Sequence, residues 1–413
     1  MAAVTDEVTE ESPEDRAFRA EARAWLAEHA PGAVASGDAN AWQRELADAR
    51  YAAITWPAEY GGRDGTPRQQ AIFAQEMFRY AVPWGAVSAI GVGMVAPTIL
   101  VHGTDVQKEQ FLPPMARADH QWCQLFSEPG AGSDLAGLTT RAERDGDEWV
   151  VNGQKVWSTF AHEADYGMLL ARTDVDQPKH RGITYFLFDM HQPGVEVRPL
   201  RQMTGDAEFN EVFLTDARVP HANVLGQVNG GWSVAMTTLA NERAMMGGGT
   251  AGRRPPADDD ANAAFLMGAR GLLRLARDRG RTHDPLVRQG LADAWMREEI
   301  MRYLGLRIQA AARLGRDASA PASIMKLYSA KQTKRVAELA LALEGPYGAL
   351  AAPDAPAGGA WQRTFLFAPA LRIAGGSDQV QRNVMGERVL QLPAEPRADK
   401  GIPFRDVPKN PGR

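Results

Sequence analysis

The feature that most constrains this chain is a change of hydrophobic period in its middle third. From Trp122 to about Gly226, short segments rich in Val, Thr, Tyr, Phe and Trp, such as Trp149–Val151, Gly167–Arg172, Gly182–Phe188 and Val195–Pro199, are separated by Asp-Gly, Asn-Gly and Pro-Gly pairs. Before this stretch the apolar residues recur at helical spacing: Phe18, Ala22, Trp25 and Leu26, then Ala71–Phe78, Val87–Val101 and Val106–Ala116. After it the helical period returns through Glu242, Ala263–Arg277, Leu286–Leu314, Ala322–Leu343 and Asp378–Leu390. Strands confined to one block between two helical blocks imply an α+β chain. The expected layout is an N-terminal α-helical domain (1–120), a central antiparallel β-domain (121–228), a C-terminal four-helix bundle (229–393) and a tail (394–413) that is extended or reaches to a partner subunit. Gly247–Asn262 and Pro346–Gly359, rich in Gly, Pro, Ala or Asp, read as surface loops.

Composition removes several functional classes. A formal net charge of -5 provides no field for nucleic acid or anionic lipid. The single cysteine, Cys123, permits neither an internal disulfide nor a cysteine-based zinc site, and the eight histidines lack metal-ligand spacing. The longest apolar run, Val87–Leu100, is broken by Gly91, Gly93 and Pro97 and falls short of the roughly 20 residues a membrane span needs. An acidic start, with Asp6, Glu7, Glu10, Glu11, Glu14 and Asp15, is unlike a secretory or mitochondrial leader, so the expected location is cytoplasmic.

Two segments carry the chemistry: Ser127-Glu128-Pro129-Gly130-Ala131-Gly132-Ser133-Asp134 and Asn152-Gly153-Gln154-Lys155-Val156-Trp157-Ser158-Thr159. Glycines beside small hydroxyl residues let backbone N–H groups approach a planar or anionic ligand. Taken alone, the first reads as a plain loop, Asn152-Gly153 as a hairpin turn, Trp157 as a core aromatic and Ser133 as a capping hydroxyl.

The order and spacing of these pieces nevertheless resemble the acyl-CoA dehydrogenase family over nearly the whole chain. Trp56-Pro57-Ala58-Glu59-Tyr60-Gly61-Gly62, Pro97 with His102-Gly103-Thr104, Met203-Thr204-Gly205 and Gln381-Arg382-Asn383 fall where that family has similar segments. The resemblance implies the same three-block fold, noncovalent FAD, an acyl-CoA substrate, electron-transfer flavoprotein or a similar acceptor, and a homodimer or homotetramer. It further implies that Phe126 and Ser127 border the isoalloxazine ring, that Trp157, Ser158 and Thr159 flank it, and that Ser133 meets the thioester end of the substrate. Arg279 or Arg281 would bind the pyrophosphate; the family's Arg-x-x-Phe-Gly element is replaced by Arg279-Gly280-Arg281-Thr282, so the choice stays open, and each also reads as a solvated helix-end arginine. Ser377 and Gln379 match a segment that reaches the flavin nucleotide, and Gly345 a loop that touches a neighbouring subunit's flavin.

Removing a proton α to a thioester requires a carboxylate in a dry pocket while the flavin accepts hydride from Cβ. Many members carry that glutamate near the C-terminus, where this chain has Gly375. In a second branch, which includes isovaleryl-CoA dehydrogenase, it lies upstream in a Leu-x-x-Glu-Arg segment, matched here by Leu239-Ala240-Asn241-Glu242-Arg243. At about 100° per residue Glu242 shares a helix face with Ala235, Thr238, Leu239, Met245 and Met246. Glu242 is therefore the expected base, and Arg243 orients the pantetheine or Glu242, or forms a salt bridge. The competing readings are a flavin oxidase or monooxygenase of the same superfamily, and a non-catalytic FAD-binding subunit paired with an active paralogue. A nicotinamide-dependent dehydrogenase is disfavoured because no strand leads into Gly-x-Gly-x-x-Gly.

Overall fold

The computed structural model describes residues 11–83, 85–248, 268–314, 319–351, 354–394, 396 and 399–408 of the 413. These form two compact units: one comprises Met1–Gly37, Thr66–Pro83 and Arg243–Leu392, the other Asp38–Gly65, Trp84–Glu242 and Pro393–Arg413.

In the first unit, helix α1 (Pro13–Ser36) starts at Ser12, whose hydroxyl accepts from Asp15 N, and stops at Gly37 in the left-handed conformation. It packs against α3 (Pro67–Met77), which opens with a Thr66/Gln69 capping box. The carboxylate of Glu76, buried beneath this pair, is held by Arg19 at 2.6 Å, Arg23 at 3.0 Å and Arg79 at 3.2 Å. Burial alone would raise its pKa, but Arg23 and Arg19 outweigh that and hold it at about 2. The C-terminal helices α8 (Ala269–Asp278), α9 (Pro285–Arg313), α10 (Ser319–Glu344) and α11 (Ala360–Leu371) enclose a core that includes Leu272, Val287, Val336, Ala340, Leu343 and Trp361. After them, α12 (Asp378–Val384) runs into one π turn.

In the second unit, α2 (Ala39–Asp48), α4 (Ala86–Ile90), a π turn (Gly91–Val95), α5 (Ala96–His102) and α6 (Asp105–Ala116) accompany a seven-stranded sheet. Its strands are β1 (Trp122–Leu125), β2 (Arg141–Asp145), β3 (Glu148–Thr159), β4 (Tyr166–Arg172), β5 (Ile183–Asp189), β6 (Val195–Leu200) and β7 (Phe209–Pro220), in the order β1-β4-β2-β3-β7-β6 with β5 on β4. The β-domain is present where the sequence puts it, but not all its pairs are antiparallel. Strand β1 lies parallel to β4, since the chain makes the whole β2–β3 hairpin before returning beside β1, and β2 meets β4 in parallel at Arg141–Arg172. Phe186, Phe188, Leu169, Leu125, Val212 and Trp149 fill the core.

The Asn152-Gly153 pair is not a hairpin turn. It lies inside β3 at a register shift against β7, where a Cβ on Gly153 would stand 2.4 Å from Thr140 Oγ1; the actual β2–β3 turn uses Gly146 at φ +60°. Helix α7 (Gly231–Gly248) begins against β5, and a Cβ on Gly231 would lie 2.6 Å from both the Thr184 carbonyl carbon and the Tyr185 nitrogen. Only glycine permits that approach. Of the two expected loops, most of Gly247–Asn262 falls outside the described residues, whereas Pro346–Gly359 contains two short 3-10 turns, at Gly345–Ala349 and Pro356–Gly359. No helix among the described residues is long and apolar enough to cross a membrane, and they contain no cluster fit to hold a metal ion.

Candidate active site

Strand β1 ends in the turn that carries the first chemical segment. Phe126 is buried edge-on against Tyr185, with ring centroids 5.8 Å apart. Ser127 is half-buried, and its carbonyl accepts from Val156 N at 2.9 Å, which ties the turn to the second segment on β3. Beneath them lies a buried ion pair that the sequence reading missed. The Lys155 ammonium is 2.9 Å from Glu128 Oε1 and donates to the Phe126 carbonyl at 3.1 Å. Glu128 also accepts from Thr139 N, Thr139 Oγ1 and Thr140 N at 2.7–2.9 Å. Burial would raise the Glu128 pKa, but Lys155 and the two threonines outweigh it and hold it at about 2; burial pulls Lys155 below its ordinary value despite the neighbouring carboxylate. The available signal was a lysine in step with the inward Trp149 and Val151 along β3.

A second register shift in β3, between Lys155 and Ser158, turns Trp157 outward. Trp157 adopts φ +62° and is 59% exposed. A bulky residue held in the left-handed region stores strain on the order of 1–3 kcal/mol, and such strain gathers at functional sites. Its neighbour Ser158 is buried with its hydroxyl unpartnered within the protein, while Thr159 is half-buried. In the first segment Gly130 and Gly132 face open space, and Ser133 is exposed.

Glu242 is half-buried on α7, four residues beyond the fully buried Thr238. Thr238 Oγ1 lies 3.0 Å from Thr98 Oγ1 and 3.2 Å from the Tyr185 hydroxyl, and His102 Nε2 lies 2.8 Å from Thr237 Oγ1, so a chain of hydroxyls fixes this part of α7 against β5 and α5. The amide of Gln124 on β1 donates to Glu242 Oε2 at 3.4 Å. Sequence reasoning overlooked Gln124 as well, although it is the lone polar residue in Trp122–Phe126. Glu242 thus stands in the same unit as Phe126, Ser127, Ser133 and Trp157–Thr159.

The remaining expected residues belong to the first unit. Arg243 follows Glu242 on α7 and is half-buried. The Arg279 guanidinium lies 5.1 Å from the centroid of Tyr347, in the turn opened by Gly345 at φ +60°, so Arg279 and Gly345 are brought together. Arg281 is instead engaged with Asp284 at 2.7 Å at the start of α9. The Ser377 hydroxyl caps α12 by accepting from Val380 N, with Gln379 exposed in the first turn. The carbonyls of Gly375 and Gly376 accept from Gln381 and Lys326. Gly375 has no side chain to offer.

The chain matches the acyl-CoA dehydrogenase N-terminal domain over residues 12–119, the middle domain over 123–217 and the C-terminal domain over 229–390. It belongs to the acyl-CoA dehydrogenase family and is an oxidoreductase of that family. It is 38% identical over 395 residues to "Acyl-CoA dehydrogenase IpdE1" of Mycobacterium tuberculosis, covering 92% of this chain and 98% of the relative. It is 28% identical over 393 residues to the mitochondrial isovaleryl-CoA dehydrogenase of Pongo abelii, covering 93% and 90%. Among solved structures, "Tcur3481-Tcur3483 steroid ACAD" superposes with a TM-score of 0.78 at 28% identity, covering 94% of this chain and 99% of that one.

The family's cofactor is FAD. The residues present fit it: Ser158 has a buried hydroxyl with no partner in the protein, Trp157 presents a strained, outward aromatic face, and the open space at Gly130 and Gly132 admits a ligand close to the backbone.

Proposed function

We propose that this chain catalyses the α,β-dehydrogenation of an acyl-CoA thioester, with Glu242 as the base that takes the α-proton. The carrying observation is Glu242 itself, a half-buried carboxylate beside Gln124 on the strand that leads into Phe126 and Ser127. A carboxylate so placed can take a proton from a bound substrate, and the Gln124 amide orients it. Phe126, Ser127, Trp157, Ser158 and Thr159 border the flavin ring, Ser133 meets the thioester end, Arg279 or Arg281 takes the pyrophosphate, Ser377 and Gln379 reach the flavin nucleotide, and Gly345 touches a neighbouring subunit's flavin. Of the two arginines, the reading favours Arg279, because Arg281 is engaged with Asp284. Arg243 stands beside the base as a positioning residue. Bound FAD supplies the hydride acceptor, and an electron-transfer flavoprotein or similar acceptor reoxidises it.

The test is anaerobic flavin bleaching by a panel of straight-chain, branched and steroid-derived acyl-CoA esters. The steroid esters enter because one similar protein of solved structure is named a steroid ACAD. Glu242→Gln keeps shape and loses basicity, so it should retain FAD and acyl-CoA binding while flavin reduction slows by about 10² to 10⁴-fold. Reduction at the parent rate removes Glu242 from the mechanism.

A second reading is favoured by the glycine at position 375 and by the two-component name of that same similar protein. In it the chain is the non-catalytic FAD-binding half of a hetero-oligomer. A yellow protein that no acyl-CoA bleaches unless a paralogue is added would select this reading. Rapid reoxidation by air would select an oxidase. The proposed assembly is a homodimer or homotetramer, read directly by native mass.

A further inference from the structure

The family match ends at residue 390, yet the chain continues, and its last described residues are built into the β-domain unit. The described part of the tail has a turn at 399–401 and one short 3-10 turn at Phe404–Asp406, and it docks on its own chain along the segment between β4 and β5. Phe404 N donates to Gln177 O at 2.9 Å, Arg405 N donates to Val175 O at 3.1 Å, and Pro403 lies opposite Pro178. Arg405 pairs with Asp176. The ring of Phe404 is buried against the guanidinium of Arg172, 3.7 Å from its centroid.

Arg172 is itself buried. It donates to the carbonyls of Lys179 and Ala136 at 2.6 Å and of Leu138 at 3.2 Å. Ala136 and Leu138 belong to the short turn that immediately follows Ser133-Asp134. A second route runs beside the first: the Lys179 ammonium bridges Asp399 of the tail and Asp134, the latter at 2.9 Å. Two separate chains of contact therefore lead from the tail to the turn that presents Ser133. The end of the turn that carries Ser133 is open, with free space for a Cβ at Gly130 and Gly132 and with Ser133 and Asp134 exposed, whereas Leu135, Ala136 and Leu138 are buried and Glu128 holds Thr139 and Thr140.

We propose that residues 399–407 form a strap that positions the Ser133–Leu138 turn for the acyl-CoA thioester. Phe404 and Asp399 are positioning residues that act through Arg172 and Lys179. The assignment of Ser133 to the substrate rests on the function proposed above, whereas the mechanical link to the turn does not.

The experiment uses full-length, FAD-loaded protein and two readouts. The first is amide hydrogen exchange over 133–140, which needs no substrate. Phe404→Ala should raise exchange there about tenfold and Phe404→Trp should restore protection; Asp399→Asn, a change near the surface, should give a smaller rise and tests the link if Phe404→Ala fails to fold. The second is titration with an acyl-CoA that bleaches or perturbs the flavin of the parent. Both weakening variants should raise the half-saturating concentration, by about tenfold for Phe404→Ala, roughly one well-placed contact, with FAD content and the rate at saturation within twofold of the parent. Unchanged exchange in Phe404→Ala and Asp399→Asn overturns the strap. Raised exchange with unchanged half-saturation overturns its role in substrate binding. A parent that shows protected exchange but no response to any acyl-CoA overturns the proposed function and leaves the mechanical link standing.

Discussion

Replacing Lys155 with methionine deletes one charge of a pair whose members are both buried and 2.9 Å apart. At an effective dielectric near 20 the direct attraction is about 6 kcal/mol, most of it offset by the cost of removing both ions from water. The net value of the intact pair is therefore small, but the cost of halving it is large. Glu128 would keep its threonine donors and lose its counter-charge, and an uncompensated buried carboxylate costs about 3–5 kcal/mol. Equilibrium urea unfolding of the FAD-loaded protein at pH 7, followed by near-ultraviolet circular dichroism, should read a loss of that size. The loss should shrink as pH is lowered toward 5, because Glu128, no longer held at about 2, takes up a proton in the folded variant. The double variant Glu128→Gln/Lys155→Met should recover much of the loss. A cost under about 1 kcal/mol for Lys155→Met, or strict additivity in the double variant, refutes the reasoning.

Three further outcomes follow from the same geometry. Gln124→Leu removes a donor to Glu242 and should slow flavin reduction about threefold to tenfold at unchanged FAD content, on the scale of one ordinary hydrogen bond, as suits a 3.4 Å contact; stopped-flow bleaching measures it. Gly231→Ala forces a Cβ into the backbone of Thr184 and Tyr185, which cannot rotate away, so it should cost about 2 kcal/mol or more and lower activity through a displaced α7, read by urea midpoint and turnover together. The carboxyls of Glu76 and Glu128 both sit near 2, below their ordinary 4.5, so each contributes stability that is complete above about pH 5 and is lost as pH falls toward 2; an acid titration by circular dichroism should show the loss in that window, and in Glu76→Gln a reduced share of it.

Much of the fold was legible because strand and helix periods differ and the chain changes between them at Trp122 and again near Gly226. Helix α2 escaped notice because only Trp42 and Leu46 of its ten residues are buried, too few to set a period, and α11 because Pro369 and the preceding Gly-rich turn argued against a helix. The parallel placement of β1 has no local signature, since it depends on where the chain returns after the β2–β3 hairpin. Asn152-Gly153 misled because its glycine serves a close approach to Thr140 inside a strand, a need that turn statistics do not register. Among the candidate site residues, Phe126, Ser127 and Trp157–Thr159 could be named through the family resemblance that their segments carry. Gln124, Lys155 and Arg172 could not, because Glu242, Glu128 and Ala136, which they meet, lie 118, 27 and 36 residues away in the chain and only the folded sheet brings them together.

The docking of Phe404 on Arg172 also has a consequence in time. Synthesis delivers the lid about 230 residues after the arginine, a delay of about 10–50 s at ordinary elongation rates. The sheet and the Ser133 turn thus exist on the ribosome well before the aromatic face that covers Arg172, and this turn is among the last parts of the molecule to reach its final form. A nascent chain that stops short of Asp399 should still yield a folded, yellow protein with a loosened turn. For the same reason an affinity tag belongs at the N-terminus, since one fused close behind Phe404 competes with the last contacts that the ribosome allows to form.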